Sequence, residues 1–173
     1  MNYADIKYCD VANGEGVRVS LFVSGCTHHC KECFNKEAWD FHYGNPFTQK
    51  EIDRILEYLK PNYIAGLSLL GGEPVNQEGI LPLLRVVKQT YPEKNIWCYT
   101  GYLFDKDVLD KMCKESEVTK EIVSYLDIVV DGEFMIDRKN LKINFRGSDN
   151  QRIIDVKKTL DAGEIVHWER EIQ

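Results

Sequence analysis

The chain has 173 residues and a mass of 20.1 kDa, with 22 Lys and Arg against 28 Asp and Glu, and its net charge of -6 disfavours a surface built to grip a nucleic-acid backbone. Hydrophobic residues at 43% and charged residues at 29% fit a globular protein with a real core, read here as one domain over residues 1–173. No stretch approaches the roughly 20 apolar residues that cross a bilayer, and the first ten residues lack a basic run followed by an apolar one. A cytoplasmic location is therefore expected, and six cysteines in a reducing compartment point to metal or redox chemistry rather than disulfides.

Residues 17–24 (VRVSLFVS) alternate and are rich in β-branched types, which predicts a strand ending at Gly25, where the cysteine cluster begins. Thr48-Gln49-Lys50-Glu51 has the form of a capping box, and Ile52, Ile55, Leu56 and Leu59 then recur at helical spacing until Pro61. The apolar run 64–70 (IAGLSLL) predicts a more buried strand closed by Gly71-Gly72. A helix over 77–89 with Pro82 near its start, a strand over 95–100, a helix over 107–115 and a strand over 126–130 follow in turn.

Strands alternating with helices imply parallel pairing with right-handed crossovers. A complete (β/α)8 barrel needs about 250 residues, so this chain can supply only part of one, and an open, partial (β/α) barrel is the expected α/β fold. Short extra strands are predicted at the C-terminal end, at 141–145 and 152–156, and Asp161-Ala162-Gly163 reads as a hairpin turn.

Cys26, Cys30 and Cys33 form Cys-x3-Cys-x2-Cys in the loop leaving the first predicted strand. Three thiolates on so short a loop can converge on one centre. Zinc would require a fourth ligand, for which His28 and His29 are the candidates, but zinc knuckles usually come as two separated pairs. A [4Fe-4S] cluster fits better, because three cysteines leave one iron open to a substrate or cofactor. The second motif, Gly71-Gly72-Glu73-Pro74, combines backbone freedom with a carboxylate able to accept from an ammonium group. Ligands of parallel α/β sheets bind at the carboxyl ends of the strands, which adds Thr100 and Asp131 to the candidates. Cys98 reads as a small buried hydrophobe, with Cys9 and Cys113 as spectators. His42 and His167 have no partner identifiable from spacing.

Cys-x3-Cys-x2-Cys after the first strand of a partial α/β barrel resembles the signature of the radical S-adenosylmethionine (SAM) superfamily. The residue before the third cysteine is Glu32, and the nearest aromatic is Phe34. The resemblance implies a [4Fe-4S] cluster held by Cys26, Cys30 and Cys33, whose free iron takes the amino and carboxylate groups of SAM. It also implies a SAM site drawn from Phe34, Asn35, Gly71, Gly72, Glu73, Pro74, Thr100 and Asp131. Within that superfamily, residues 26–35, Trp39, Val130-Asp131-Gly132-Glu133-Phe134 and residues 146–151 (RGSDNQ) are similar to the activases of anaerobic ribonucleoside-triphosphate reductases. That likeness implies reductive cleavage of SAM to a 5′-deoxyadenosyl radical, which takes a hydrogen atom from a glycine of the large reductase. It further implies a flavodoxin- or ferredoxin-like electron donor. An activase of the pyruvate formate-lyase type, a small radical SAM synthase of a deazaguanine precursor and a zinc-stapled binding module stay open as alternatives.

Overall fold

The computed structural model describes residues 1–26 and 39–169. Its centre is a seven-stranded sheet that does not close on itself. In chain order the strands are β1 (Asn2–Asp10), β2 (Val17–Val23), β3 (Asn45–Pro46), β4 (Ile64–Gly71), β5 (Asn95–Tyr99), β6 (Ile128–Asp131) and β7 (Arg152–Asp155). They lie side by side as β3-β1-β2-β4-β5-β6-β7. The four inner strands β2, β4, β5 and β6 are parallel, and β1, β3 and β7 pair antiparallel at the flanks. The expectation of an open α/β sheet is met at that level, with antiparallel edges that strand-helix alternation does not announce.

β1 escapes the alternation test because it lies toward the edge of the sheet and buries only one of its nine residues fully, Tyr3. Its pairing with β2 slips twice, and Cys9 adopts φ 60 in the second irregular stretch. β4 shows the opposite composition: seven of its eight residues are apolar or Gly, and its interior is buried on both faces, as a central parallel strand requires.

The helices α1 (Gln49–Leu59), α2 (Leu81–Thr90) and α4 (Glu117–Tyr125) cover one face of the sheet. Glu51 accepts from the Thr48 backbone N–H at 2.8 Å, which fixes the start of α1 where the sequence places it. The predicted helix over 77–89 resolves into a 3₁₀ turn, Glu78–Ile80, leading into α2, whose Pro82 lies in the first turn where its missing N–H costs nothing. The third predicted helix starts earlier than expected, as a π-helical segment, Phe104–Met112, running into α3 (Cys113–Glu115). Helix α4 was not anticipated. It starts at Ser116, whose side chain accepts from Thr119 N–H, and buries Ile122 and Val123 in the core.

That core gathers Val19, Leu21, Leu67, Leu69, Ile96, Cys98 and Val129 from the strands with Ile55, Leu59, Leu84, Val108 and Ile122 from the helices. Each such side chain removed from water contributes roughly 1.5–3 kcal/mol before conformational entropy is set against it. The opposite face carries a smaller cluster, Trp97, Ile128 and Val130, covered by Phe145 and Trp168.

Two C-terminal expectations are corrected. Residues 141–145 form turns rather than a strand, while Arg152–Asp155 is a strand as read. Asp161-Ala162-Gly163 is the end of helix α5 (Val156–Ala162), with Gly163 at φ 72 as its left-handed cap. Gly after a short polar run gives the same sequence signal for a helix stop as for a hairpin turn. Among the described residues, no helix is long and apolar enough to cross a membrane.

Candidate functional site at the carboxyl ends of the parallel strands

β2 ends at Val23, Gly25 follows at φ 102, and the backbone N–H of Cys26 donates to the Trp39 carbonyl at 3.2 Å. Cys26 is half-buried there. Cys30, Cys33, Phe34 and Asn35 lie outside the described residues. β4 ends beside this point. Gly72 N–H donates to Val23 O at 2.7 Å and Glu73 N–H to Gly25 O at 2.8 Å, so the first cysteine and Gly71-Gly72-Glu73-Pro74 are tied backbone to backbone.

The glycines have a sharper reason than ligand approach. Gly71 has φ +102, and a Cβ there would sit 2.5 Å from Val23 O; a Cβ on Gly72 would collide with the backbone of Gly25. Neither residue can carry a side chain while the two strand ends remain in contact. Gln77, which the sequence reading passed over, completes the junction: its amide Nε2 donates to Ser24 O at 3.0 Å and lies 3.5 Å from Gly25 O. No spacing rule marks it, because its role depends on a contact 53 residues away.

Glu73 is 2% exposed and its carboxylate is fixed from β5. Oε1 accepts from Thr100 Oγ1 at 2.9 Å and from Gly101 N–H at 2.8 Å, and Oε2 lies 3.4 Å from Val75 N. Pro74 opens the short 3₁₀ turn Pro74–Asn76. The structure therefore brings Cys26, Gly71, Gly72, Glu73, Pro74 and Thr100 to one end of the sheet, on three neighbouring strands.

Asp131 ends β6 at the same end but is occupied differently. It is fully buried; Oδ1 accepts from Arg152 Nε at 3.0 Å, and Oδ2 accepts from Arg152 Nη2 at 2.5 Å and from Phe104 N–H at 2.8 Å. Arg152 also reaches Asp105 at 3.0 Å. The hydrogen bonds to Asp131 hold the Arg152 guanidinium above its ordinary range, although burial opposes this. For Asp105 burial pushes upward, but the Arg152 hydrogen bond prevails and the carboxyl is lowered. Arg152 faces Asp131 across the antiparallel β6–β7 pair, a register that sequence reading of β7 alone did not supply.

The remaining cysteines lie elsewhere. Cys98 is buried on the helix-covered side of β5, and its thiol is pushed well up, first by burial and then by the charge of Glu73. Cys113 is half-buried beside the core and its thiol is raised by burial, whereas Cys9 is exposed. Among the described residues, no group of three His, Cys, Asp or Glu side chains gathers as a metal site.

Residues 12–154 match the family described as a 4Fe-4S single cluster domain, which covers all three cysteines of the motif. The chain is 42% identical over 158 residues to the anaerobic ribonucleoside-triphosphate reductase-activating protein of Enterobacteria phage T4, covering 88% of this chain and 93% of the relative. This chain belongs to that family of reductase-activating proteins. The likeness extends to the proteins of the same name from Pasteurella multocida, at 39% identity over 88% of this chain and 96% of the relative, and from Escherichia coli K12, at 36% over 87% and 96%. The family match supports an iron–sulfur cofactor rather than the zinc ion also weighed for the cysteine loop.

Proposed function

We propose that the chain, as a single cytoplasmic unit over residues 1–173 with the open barrel of a radical SAM enzyme, activates an anaerobic ribonucleoside-triphosphate reductase. A [4Fe-4S] cluster held by this chain and given one electron by a flavodoxin- or ferredoxin-like donor would supply the reductive cleavage of SAM to methionine and a 5′-deoxyadenosyl radical, and transfer of a hydrogen atom from a reductase glycine to that radical would leave a glycyl radical. Cys26, Cys30 and Cys33 are the ligands in this reading.

The observation that carries the proposal is the junction at the strand ends. Cys26 is fastened through Gly25 to Glu73, whose carboxylate is already held by Thr100 and Gly101. A buried carboxylate oriented in advance is suited to accept from the ammonium group of SAM at little reorganisation cost. Gly71 and Gly72 keep that carboxylate close to the cluster loop, and Pro74 fixes the turn that follows. Phe34 and Asn35, next to the third cysteine in sequence, are assigned to SAM binding in this reading. Asp131 serves it indirectly, with Arg152, by anchoring the start of Phe104–Met112 beneath the Thr100 to Leu103 loop.

The open edge of the sheet gives a physical sense to a protein substrate, since an incomplete barrel admits a glycine-bearing loop that a closed one excludes, and the docked partner then shields the reaction from water. The test is anaerobic SAM cleavage by the reconstituted, reduced protein. 5′-Deoxyadenosine is expected from the unaltered chain and from Cys113→Ala, and none from Cys30→Ala; activity retained in Cys30→Ala overturns the cluster assignment.

A further inference from the structure

The motif Arg146-Gly147-Ser148-Asp149-Asn150-Gln151 is not used by the chemistry above, and the structure gives it a definite task. It is the far side of a loop, residues 132–151, that contains one short 3₁₀ turn, Ile136–Arg138, and no other helix. Loops beyond about 12–15 residues are uncommon in compact domains unless they have a function. This one is braced from within. Gln151 Oε1 accepts from Gly147 N–H at 2.8 Å and Ser148 N–H at 3.2 Å, Asn150 Nδ2 donates to Glu133 O at 2.9 Å, and Ser148 Oγ accepts from Met135 N–H at 3.2 Å. Arg138 pairs with Asp149 at 2.5 Å.

The bracing holds apolar side chains outward. Met135 is 42% exposed, Ile136 38% and Leu141 81%, and Leu103, on the loop after β5, is 38% exposed. The two loops are joined by Gly132 N–H donating to Tyr102 O at 3.1 Å. Two exposed lysines, Lys139 and Lys142, flank Leu141 in a nine-residue stretch, 138–146, that contains no acid, while Arg138 is engaged by Asp149 and Arg146 is only partly exposed.

The loop is also continuous with the candidate site. Gln151 Nε2 donates to Gly132 O at 3.0 Å, Gly132 N–H reaches Tyr102 O, Tyr102 N–H reaches Thr100 Oγ1 at 3.1 Å, and Thr100 Oγ1 donates to Glu73. Exposed apolar side chains beside two lysines, on loops ordered in advance and hydrogen-bonded to the candidate site, suit the reception of a protein substrate.

We infer that the loop 132–151, with Leu103, is the docking surface for the reductase, and that it takes an apolar reductase segment flanked by acidic groups. The inference rests on the reading given under Proposed function, and its test separates the two. The full-length chain with reconstituted cluster is compared with a Met135→Asp/Ile136→Asp double variant and with Leu141→Asp. The readouts are the Kd for the purified reductase and the 5′-deoxyadenosine formed without reductase. Reductase affinity is expected to fall about tenfold or more in the double variant and about threefold in Leu141→Asp, with reductase-free SAM cleavage within about twofold of the unaltered chain. If the double variant loses its fold, the highly exposed Leu141 decides. Unchanged reductase affinity in the folded variants overturns the inference, as does loss of self-association with reductase binding intact, which would make the patch a contact between copies. If the unaltered chain forms no deoxyadenosine yet the variants lose reductase binding, the docking surface stands and the radical reading falls.

Discussion

The two ends of the parallel strands are built from opposite materials. At the amino end a whole guanidinium is buried: Arg18 on β2 is 0% exposed, with Nε donating to Ser68 Oγ at 2.7 Å, Nη1 to Glu15 O at 3.0 Å, and Nη2 to Leu67 O at 2.9 Å and Asn95 O at 3.1 Å. Its charged centre lies 5.5 Å from the Trp97 ring, and burial lowers its pKa to about 10. Ser68 in turn donates to Asn13 O, so the loop before β2 is stitched over this end. At the carboxyl end glycines let two strand ends touch, the buried carboxylate of Glu73 is held by a hydroxyl and a backbone N–H, and the Arg152 guanidinium is taken up by the buried carboxylate of Asp131. One end spends its polar groups on one another and stabilises the sheet, whereas the other gathers them around a point where chemistry is proposed. This is the division between stability and function that parallel α/β folds repeatedly show.

If the division is right, damage at the two ends differs in kind. The largest effect belongs to the cluster ligands: Cys26→Ala loses SAM cleavage to background while its unfolding midpoint in the cluster-free form stays near that of the unaltered chain. Arg18→Met reverses that pattern. Leaving Ser68 and the carbonyls of Glu15, Leu67 and Asn95 without their donor costs about 3 kcal/mol, measured by urea unfolding, with activity per folded molecule retained. A normal urea midpoint in this variant would erase the contrast. Gly72→Ala joins the two regimes, because its Cβ strikes the Gly25 backbone; a loss of about 2 kcal/mol together with lower iron content per chain is expected, and full iron loading would mean the strand ends need not touch. Glu73→Gln keeps the iron and weakens SAM binding about tenfold, read by calorimetry, since a neutral amide replaces a charge-assisted acceptor.

The smallest effect lies at Asp105. Its carboxyl is held below the ordinary range by Arg152, so its contribution is present above the unfolded carboxylate pKa and disappears as pH falls through the lower folded value. Asp105→Asn is expected to flatten the acid limb of stability against pH and leave neutral pH nearly unchanged, because the pair is partly exposed.

Much of this arrangement is legible in the sequence because local physics determines it. The run IAGLSLL is a central strand since nothing but burial on both sides accommodates it, and Thr48 with Glu51 fixes a helix start. The Cys-x3-Cys-x2-Cys spacing points to an iron–sulfur cluster without any tertiary information, and it lies inside the span that matches the 4Fe-4S single cluster domain family. What stayed hidden depends on long-range pairing. β1 has the composition of an edge and slips in register, so alternation cannot reveal it. The pairing of Asp131 with Arg152 exists because β7 runs antiparallel to β6, and the use of Gln77 depends on β2 ending beside β4. Asp131 was correctly expected at a strand end, yet strand position alone could not tell that Arg152 and Phe104 take its oxygens.

The most direct test of the central claim is electron paramagnetic resonance of the reduced, cluster-reconstituted chain mixed anaerobically with SAM and the large anaerobic reductase of the same organism. A glycyl radical doublet that requires SAM and disappears in Cys30→Ala is the predicted result. Absence of the doublet with 5′-deoxyadenosine still accumulating would contradict the partner, and absence of both in a sample with full iron content would contradict the radical chemistry itself.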